Sequence, residues 1–253
     1  NEAVRMLREE GVCIGFSGSG GIPLLAAQDP YPDLLTPFDE YRDPRFLHKW
    51  IEIWRDESRR LAAAKYLFRA RLACIEDFWA SIEFGAGMPD PPSQRKLGPV
   101  LKSIDKAQNT GELLGVEGNL ARELYHSLSR HFGFDGFERK PRGGEGLSDP
   151  NALLDHGNYL AYGLASVVLW CLGIPPALAV LHGKTRRGAM VFDLADVIKD
   201  ALIMPMAFAT AYNTRSGKTV SETDFRSGCL TIFDDAKALD ILFSTLTEVI
   251  DEC

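Results

Sequence analysis

Apolar positions recur at helical spacing through most of the chain. Arg45 to Phe84 contains no glycine or proline. Within it Phe46, Trp50 and Trp54, then Leu61, Ala64, Phe68, Leu72, Ile75, Trp79 and Ile82, fall on helical stripes. The run is too long for one ordinary helix, so a break near Asp56–Ser58 is predicted. Shorter helices are predicted over 2–10, 99–109 and 112–131, the last carrying an i, i+4 stripe of Val116, Leu120, Leu124 and Leu128. Asp149-Pro150 supplies an N-cap and a first-turn proline for a helix that ends at Gly173, with Pro175 just beyond. A helix from Asp193 to about Tyr212, bent near Pro205, and a last one over 231–250 complete the helical set. Residues 11–16 read as a buried strand. The apolar runs 177–181 and 189–192 flank GKTRRG (183–188) and read as a β-hairpin with a basic tip. The pattern is mainly α with a small β-hairpin.

The segments between these elements are connectors. SGSGGIP (17–23) follows a strand, but neither a helix start nor Lys-Ser/Thr follows it, so it reads as a turn or linker rather than a phosphate cradle. Residues 24–43 and 85–97 are rich in turn formers, and FERKPRGGEGLSDP (137–150) is a basic, glycine-rich loop. Asn158 to Leu181 carries no charge and is long enough to span a bilayer. Pro175-Pro176, Gly163, Gly173 and the polar Asn158, Tyr159, Tyr162 and Ser166 interrupt it, so it reads as a buried helix and a turn, with no membrane partner.

Composition narrows the class. The 253 residues are 45% hydrophobic and 25% charged, which excludes a disordered or collagen-like chain. A net charge of −7 excludes a wholly basic nucleic-acid coat protein, though not a local basic patch. Five cysteines without a C-x-x-C pair argue against a disulfide framework or a cysteine zinc site and for a reducing cytoplasm.

Several residue groups invite chemistry. Gly183-Lys184-Thr185 is not a P-loop, because Leu178 stands where the leading glycine is needed. Glu123-x-x-His126 occurs once, whereas a di-iron bundle needs two such pairs. Asp193, Asp196 and Asp200 share one face of a helix that is otherwise strongly apolar. They form either a solvated acidic face or carboxylates brought into a core by a cation. His182 is either a hydrogen-bonded structural residue or a neighbour of Asp193 and Asp196 if the hairpin folds back. Asn151, Asp155, Tyr159, Tyr162 and Ser166 form a polar stripe on a greasy helix, facing a polar cavity or making a buried hydrogen-bond ladder. Lys184, Arg186 and Arg187, with Arg139, Lys140 and Arg142, supply local positive charge that binds phosphates without reading sequence, or else form solvated basic loops.

The run LLDHGNYLAYGLASVVLWCLGIPPALAVLHGKTRRGAMVFDLADVIKDALIMPMAF (153–208), with Glu117-Gly118-Asn119-Leu120-Ala121-Arg122 and GVCIGFSGSGGIPLLAA (11–27), closely resembles the CRISPR adaptation integrases of the Cas-one family, most of all the subtype I-F branch. The resemblance covers essentially the whole chain. It implies residues 1–25 as the remnant of an N-terminal β-domain and linker, and 26–253 as a helical, metal-dependent catalytic domain. It implies a metal held by Glu117, His182 and Asp196, with Asp193, Tyr162 and Lys184 as catalytic neighbours and Arg122 and Lys199 among the DNA-contacting residues. Two carboxylates and one imidazole suit Mg²⁺ or Mn²⁺ and leave open positions, whereas a single histidine makes a dedicated zinc site less suitable. The implied activity is endonuclease and strand-transfer chemistry that inserts foreign DNA into a repeat array. The implied partners are branched or double-stranded DNA, a second copy of the chain, and the Cas-two protein fused to Cas-three. A DNA-binding scaffold without catalysis and a stand-alone metal nuclease are the rival readings.

Overall fold

A computed structural model describes residues 2–12, 14–16, 33–35, 42–79, 94–141, 143–183 and 188–253. The described elements run α1 (Glu2–Glu9), β1 (Ile14–Phe16), β2 (Asp33–Leu35), α2 (Pro44–Arg55), α3 (Glu57–Phe78), α4 (Gln94–Lys106), α5 (Thr110–His131), α6 (Pro150–Cys171), α7 (Ala189–Arg215), α8 (Glu222–Asp235) and α9 (Ala238–Glu252). β1 and β2 pair antiparallel, with Ile14 opposite Leu35 and Phe16 opposite Asp33. The expected boundary at residue 25 lies outside the described residues.

Helix α7 is the axis of the bundle. Every residue from Ala189 to Ala211 except Lys199 is buried. A helix apolar on all sides must be surrounded, and α3 and α6 pack along it while α8 and α9 close the remaining face. The approach of α6 to α7 is close enough that a Cβ at Gly157 would lie 2.5 Å from Ile203 Cγ2, so this position tolerates no side chain.

Side-chain caps set the helix starts. Asp56 breaks the long apolar run as expected: its carboxylate accepts from the N–H groups of Ser58 at 2.8 Å and Arg59 at 2.9 Å. Asn109 caps α5, Asp149 caps α6, and Ser221 with Asp224 forms a capping box at α8. That box starts a helix in a stretch that sequence patterning reads as a loop, and the predicted single terminal helix is therefore two, α8 and α9.

The predicted hairpin over 177–192 is not formed. Residues 189–192 are instead the first turn of α7, entered through Gly188 at a φ of 62°. Without a partner strand, 177–182 makes turns whose polar backbone groups are satisfied by side chains. Trp50 and Trp54 of α2 donate their indole N–H to the carbonyls of Leu178 and Ala179, at 2.9 and 3.1 Å. The uncharged stretch from Asn158 is a buried helix and a turn, and no helix among the described residues is long and apolar enough to cross a membrane.

Candidate metal centre

Three elements bring Glu117, His182 and Asp196 together. Glu117 is the eighth residue of α5, His182 lies at the end of the pinned 175–182 turn, and Asp196 is the eighth residue of α7. One ligand atom from each lies within 4.8 Å of the other two. All three side chains are nearly buried, with 16%, 11% and 9% of their surface exposed. Oxygen and nitrogen donors this close, from separate elements and at the edge of solvent, are a geometry that fits a divalent cation.

Asp193 explains how His182 is held. Its carboxylate accepts from the backbone N–H groups of Val180 and Leu181 at 2.8 Å and of His182 at 3.0 Å. It also lies 2.7 Å from His182 Nδ1. Nδ1 is thus committed inward, and Nε2 faces Glu117 Oε2 at 3.3 Å. A second-layer carboxylate that fixes ring orientation and leaves one nitrogen for the ion is the arrangement metal-binding histidines use. Asp193 is therefore saturated by donors and acts behind the centre.

The carboxylates face two cations, Arg71 buried and Lys199 partly buried. Lys199, one turn along α7, pairs with Asp196 Oδ1. Arg71 on α3 pairs with Asp200 and places Nη1 3.0 Å from Glu117 Oε1 and 3.8 Å from Asp196 Oδ2. Burial opposes the charge of both cations, but the facing carboxylates more than offset it and hold both firmly protonated. Burial likewise opposes ionisation of Glu117, and hydrogen bonding to His182 with the nearby Arg71 pulls its carboxyl well below the usual range. For His182, burial works against the proton, while hydrogen bonds to Asp193 and Glu117 push its pKa up to about 10.

The other expected residues fall into distinct places. Tyr162 is buried on α6 and packs edge-on against Phe192, in electrostatic contact with Lys199. Arg122 lies exposed on α5 and bonds Asn119. Arg139 is not a free surface cation: it donates to Asn151 at 3.1 Å and to Asp155 at 2.5 Å. Lys140 is exposed, 3.8 Å from Glu138. Lys199 faces the carboxylates rather than open surface. Arg142, Lys184, Arg186 and Arg187 lie outside the described residues. The polar stripe of α6 divides in two. Asn151 and Asp155 bond Arg139 and the loop before α6, whereas farther along Ser166 Oγ donates to the Tyr162 carbonyl at 2.7 Å and Tyr159 stacks edge-on to Tyr162.

Arg71 is the neighbour of this cluster that sequence reasoning missed. The signal available was a single arginine three residues after Phe68 and one before Leu72, on the buried face of an apolar stripe. A fully buried arginine requires carboxylates to face it.

Residues 4–231 match the family described as CRISPR associated protein Cas1. The chain is 41% identical to the CRISPR-associated endonuclease Cas1 of Pseudomonas aeruginosa over 98% of its own length and 76% of the relative. It is 40% identical to the Cas1 of Pectobacterium atrosepticum, again over 98% of this chain and 76% of the relative. Its fold is shared with a casposase solved bound to integration product, at a TM-score of 0.71 and 17% identity, over 100% of this chain and 75% of the casposase. The family match over most of the chain and the two likenesses along nearly all of it agree: this chain belongs to the Cas1 family.

Proposed function

We propose that the chain is a metal-dependent DNA endonuclease and integrase that inserts foreign DNA into a CRISPR repeat array, within the subtype I-F branch. The observation that carries this reading is the convergence of Glu117, His182 and Asp196 within 4.8 Å. The names of the relatives, and the casposase caught with its integration product, support the chemistry assigned to it.

Glu117, His182 and Asp196 would hold Mg²⁺ or Mn²⁺. When bound, such an ion neutralises phosphate charge and activates an oxygen nucleophile, a DNA 3′-hydroxyl for strand transfer or water for cleavage. The protein's own part is positioning. Asp193 holds the His182 ring so that Nε2 faces the carboxylates. Lys199 anchors one oxygen of Asp196. Tyr162, buried beside this cluster, serves in packing and positioning rather than as a covalent nucleophile, so Tyr162→Phe retains strand transfer.

Phosphate binding falls to Lys184, Arg186 and Arg187, within five residues of His182 in the sequence, with Arg122, Lys140 and Arg142 as further contacts. Arg139, bound to Asn151 and Asp155, braces α6 and is left out of the DNA contacts. Neutralising Lys184, Arg186 and Arg187 should weaken DNA binding and flatten its salt dependence by about 0.9 in log–log slope for each phosphate no longer neutralised. A second copy of the chain and the Cas-two protein, fused to Cas-three, complete the proposed assembly.

Strand transfer of branched DNA into a repeat-containing plasmid tests the reading. Wild type with Mn²⁺ should join DNA and Glu117→Ala should not. DNA binding without any metal-dependent joining or cleavage would leave a scaffold. Cleavage without joining would leave a nuclease.

A further inference from the structure

One more side chain reaches the centre. Arg71 projects from α3 into the gap between α5 and α7, with 4% of its side chain exposed. Its Nε and Nη2 both bond Asp200 Oδ2, the first at 2.8 Å. That leaves Nη1 aimed at the centre, 3.0 Å from Glu117 Oε1 and 3.8 Å from Asp196 Oδ2. Asp200 is itself 1% exposed, and its other oxygen has no hydrogen-bond partner among the described residues. Asp200 fixes the guanidinium, and the guanidinium reaches the carboxylates.

We infer that Arg71, clamped by Asp200, is a positioning residue of the centre: it occupies Oε1 of Glu117 and so presents Oε2 toward His182 Nε2. The inference rests on the metal-centre reading. A planar, rigid fork suits this task, because one group must satisfy Asp200 on one edge and Glu117 on the other. A lysine ammonium is a single point charge on a flexible stem and cannot span both partners in fixed geometry. Glu117 stands on α5 and Asp196 on α7, and Arg71 faces both, so it sets the spacing of two helices at the point where their carboxylates must share an ion.

Charge and positioning can be separated here, because Arg71 and Asp200 are a pair of opposite charges. Removing both together leaves the net charge beside Glu117 and Asp196 unchanged, and a lysine at 71 keeps the positive charge, so a fall in Mn²⁺ affinity in either variant reads the loss of positioning. Mn²⁺ binding to the whole chain, followed by electron paramagnetic resonance and paired with thermal melts, measures it. Arg71→Met alone strands Asp200 in the core, so the informative variant is Arg71→Met/Asp200→Asn, which removes the buried pair together. It should melt cooperatively with native helicity yet bind Mn²⁺ roughly 10–100-fold more weakly, the range typical for loss of an outer-layer partner. Arg71→Lys keeps the charge and guards against a folding failure of the double variant; it too should fold and lose Mn²⁺ affinity. Either folded variant binding Mn²⁺ as tightly as wild type, or more tightly, would overturn the role. Absence of Mn²⁺ binding in wild type would instead sink the metal-centre reading beneath it.

Discussion

Arg139 and Arg71 both reach into the helical bundle, and they end in different company. Arg139 meets one carboxylate, Asp155, and one amide, Asn151. Its charge is paired by Asp155, and the Tyr125 hydroxyl also lies within its reach. It ties the basic loop before Asp149 to the first turns of α6. Arg71 meets Asp200, Glu117 and Asp196, with Asp193 one turn away behind His182. Here four carboxylates, Asp200, Glu117, Asp196 and Asp193, face Arg71, Lys199 and the protonated His182, an excess of one negative charge. A matched buried pair is self-sufficient, whereas a surplus of carboxylates in a confined place calls for a cation from outside. The contrast sets a brace apart from the proposed metal centre without reference to any relative.

The sharpest break of this contrast is Glu117→Ala. It removes a donor from the centre and should reduce metal-dependent strand transfer by more than the roughly 100-fold at the top of the range for outer-layer partners. A gel-based joining assay with Mn²⁺ checks it. Asp193→Asn comes next. It weakens the hold on His182 Nδ1 and should lower Mn²⁺ affinity roughly 10–100-fold while the ring stays in place. Retained affinity would show that His182 orients itself without this partner.

The brace should behave in the opposite way. Arg139→Met removes the guanidinium that bonds partly buried Asp155 and Asn151 and should cost about 1–3 kcal/mol in a denaturant melt. Its Mn²⁺ affinity should stay within about twofold of wild type, because no outer-layer partner of the centre is touched. If metal binding fell with stability, the two networks would be one. The smallest effect belongs to the caps far from both. Hydrogen bonds from Ser58 and Arg59 hold the Asp56 carboxyl below its ordinary value. A lowered folded-state pKa means that the stabilisation is present above the unfolded value, near pH 4, and is lost as pH falls through the folded one. The melting difference between wild type and Asp56→Asn should therefore be constant above about pH 5 and shrink below about pH 4.

The helices were legible because their signals are local. Asp56 and Asp149 cap where an acidic residue precedes an apolar stripe, and the apolar surround of α7 follows from its composition. The hairpin was not legible. Residues 189–192 are apolar in either a strand or a buried helix turn, and a short run carries no period to choose between them. What decided the matter was distant: Trp50 and Trp54 take the carbonyls of 178 and 179, and Asp193 takes the N–H groups of 180–182. The same non-locality hid Arg71. Its carboxylate partners Glu117, Asp196 and Asp200 lie far along the chain, on two other helices. Glu117, His182 and Asp196 came into view as a group only through family resemblance, since spacing alone left His182 and the aspartate stripe with bland alternatives. Asp193 shows the limit of that route as well. A place near the centre was foreseeable, but its saturation by the 180–182 N–H groups and the His182 ring required the turn geometry.

Electron spin echo spectroscopy of Mn²⁺ added to the protein tests the central claim most directly. A nitrogen coupling from one imidazole is expected in wild type and should vanish in His182→Gln. Mn²⁺ bound with no nitrogen coupling, or a coupling that survives His182→Gln, would contradict the metal centre proposed for Glu117, His182 and Asp196.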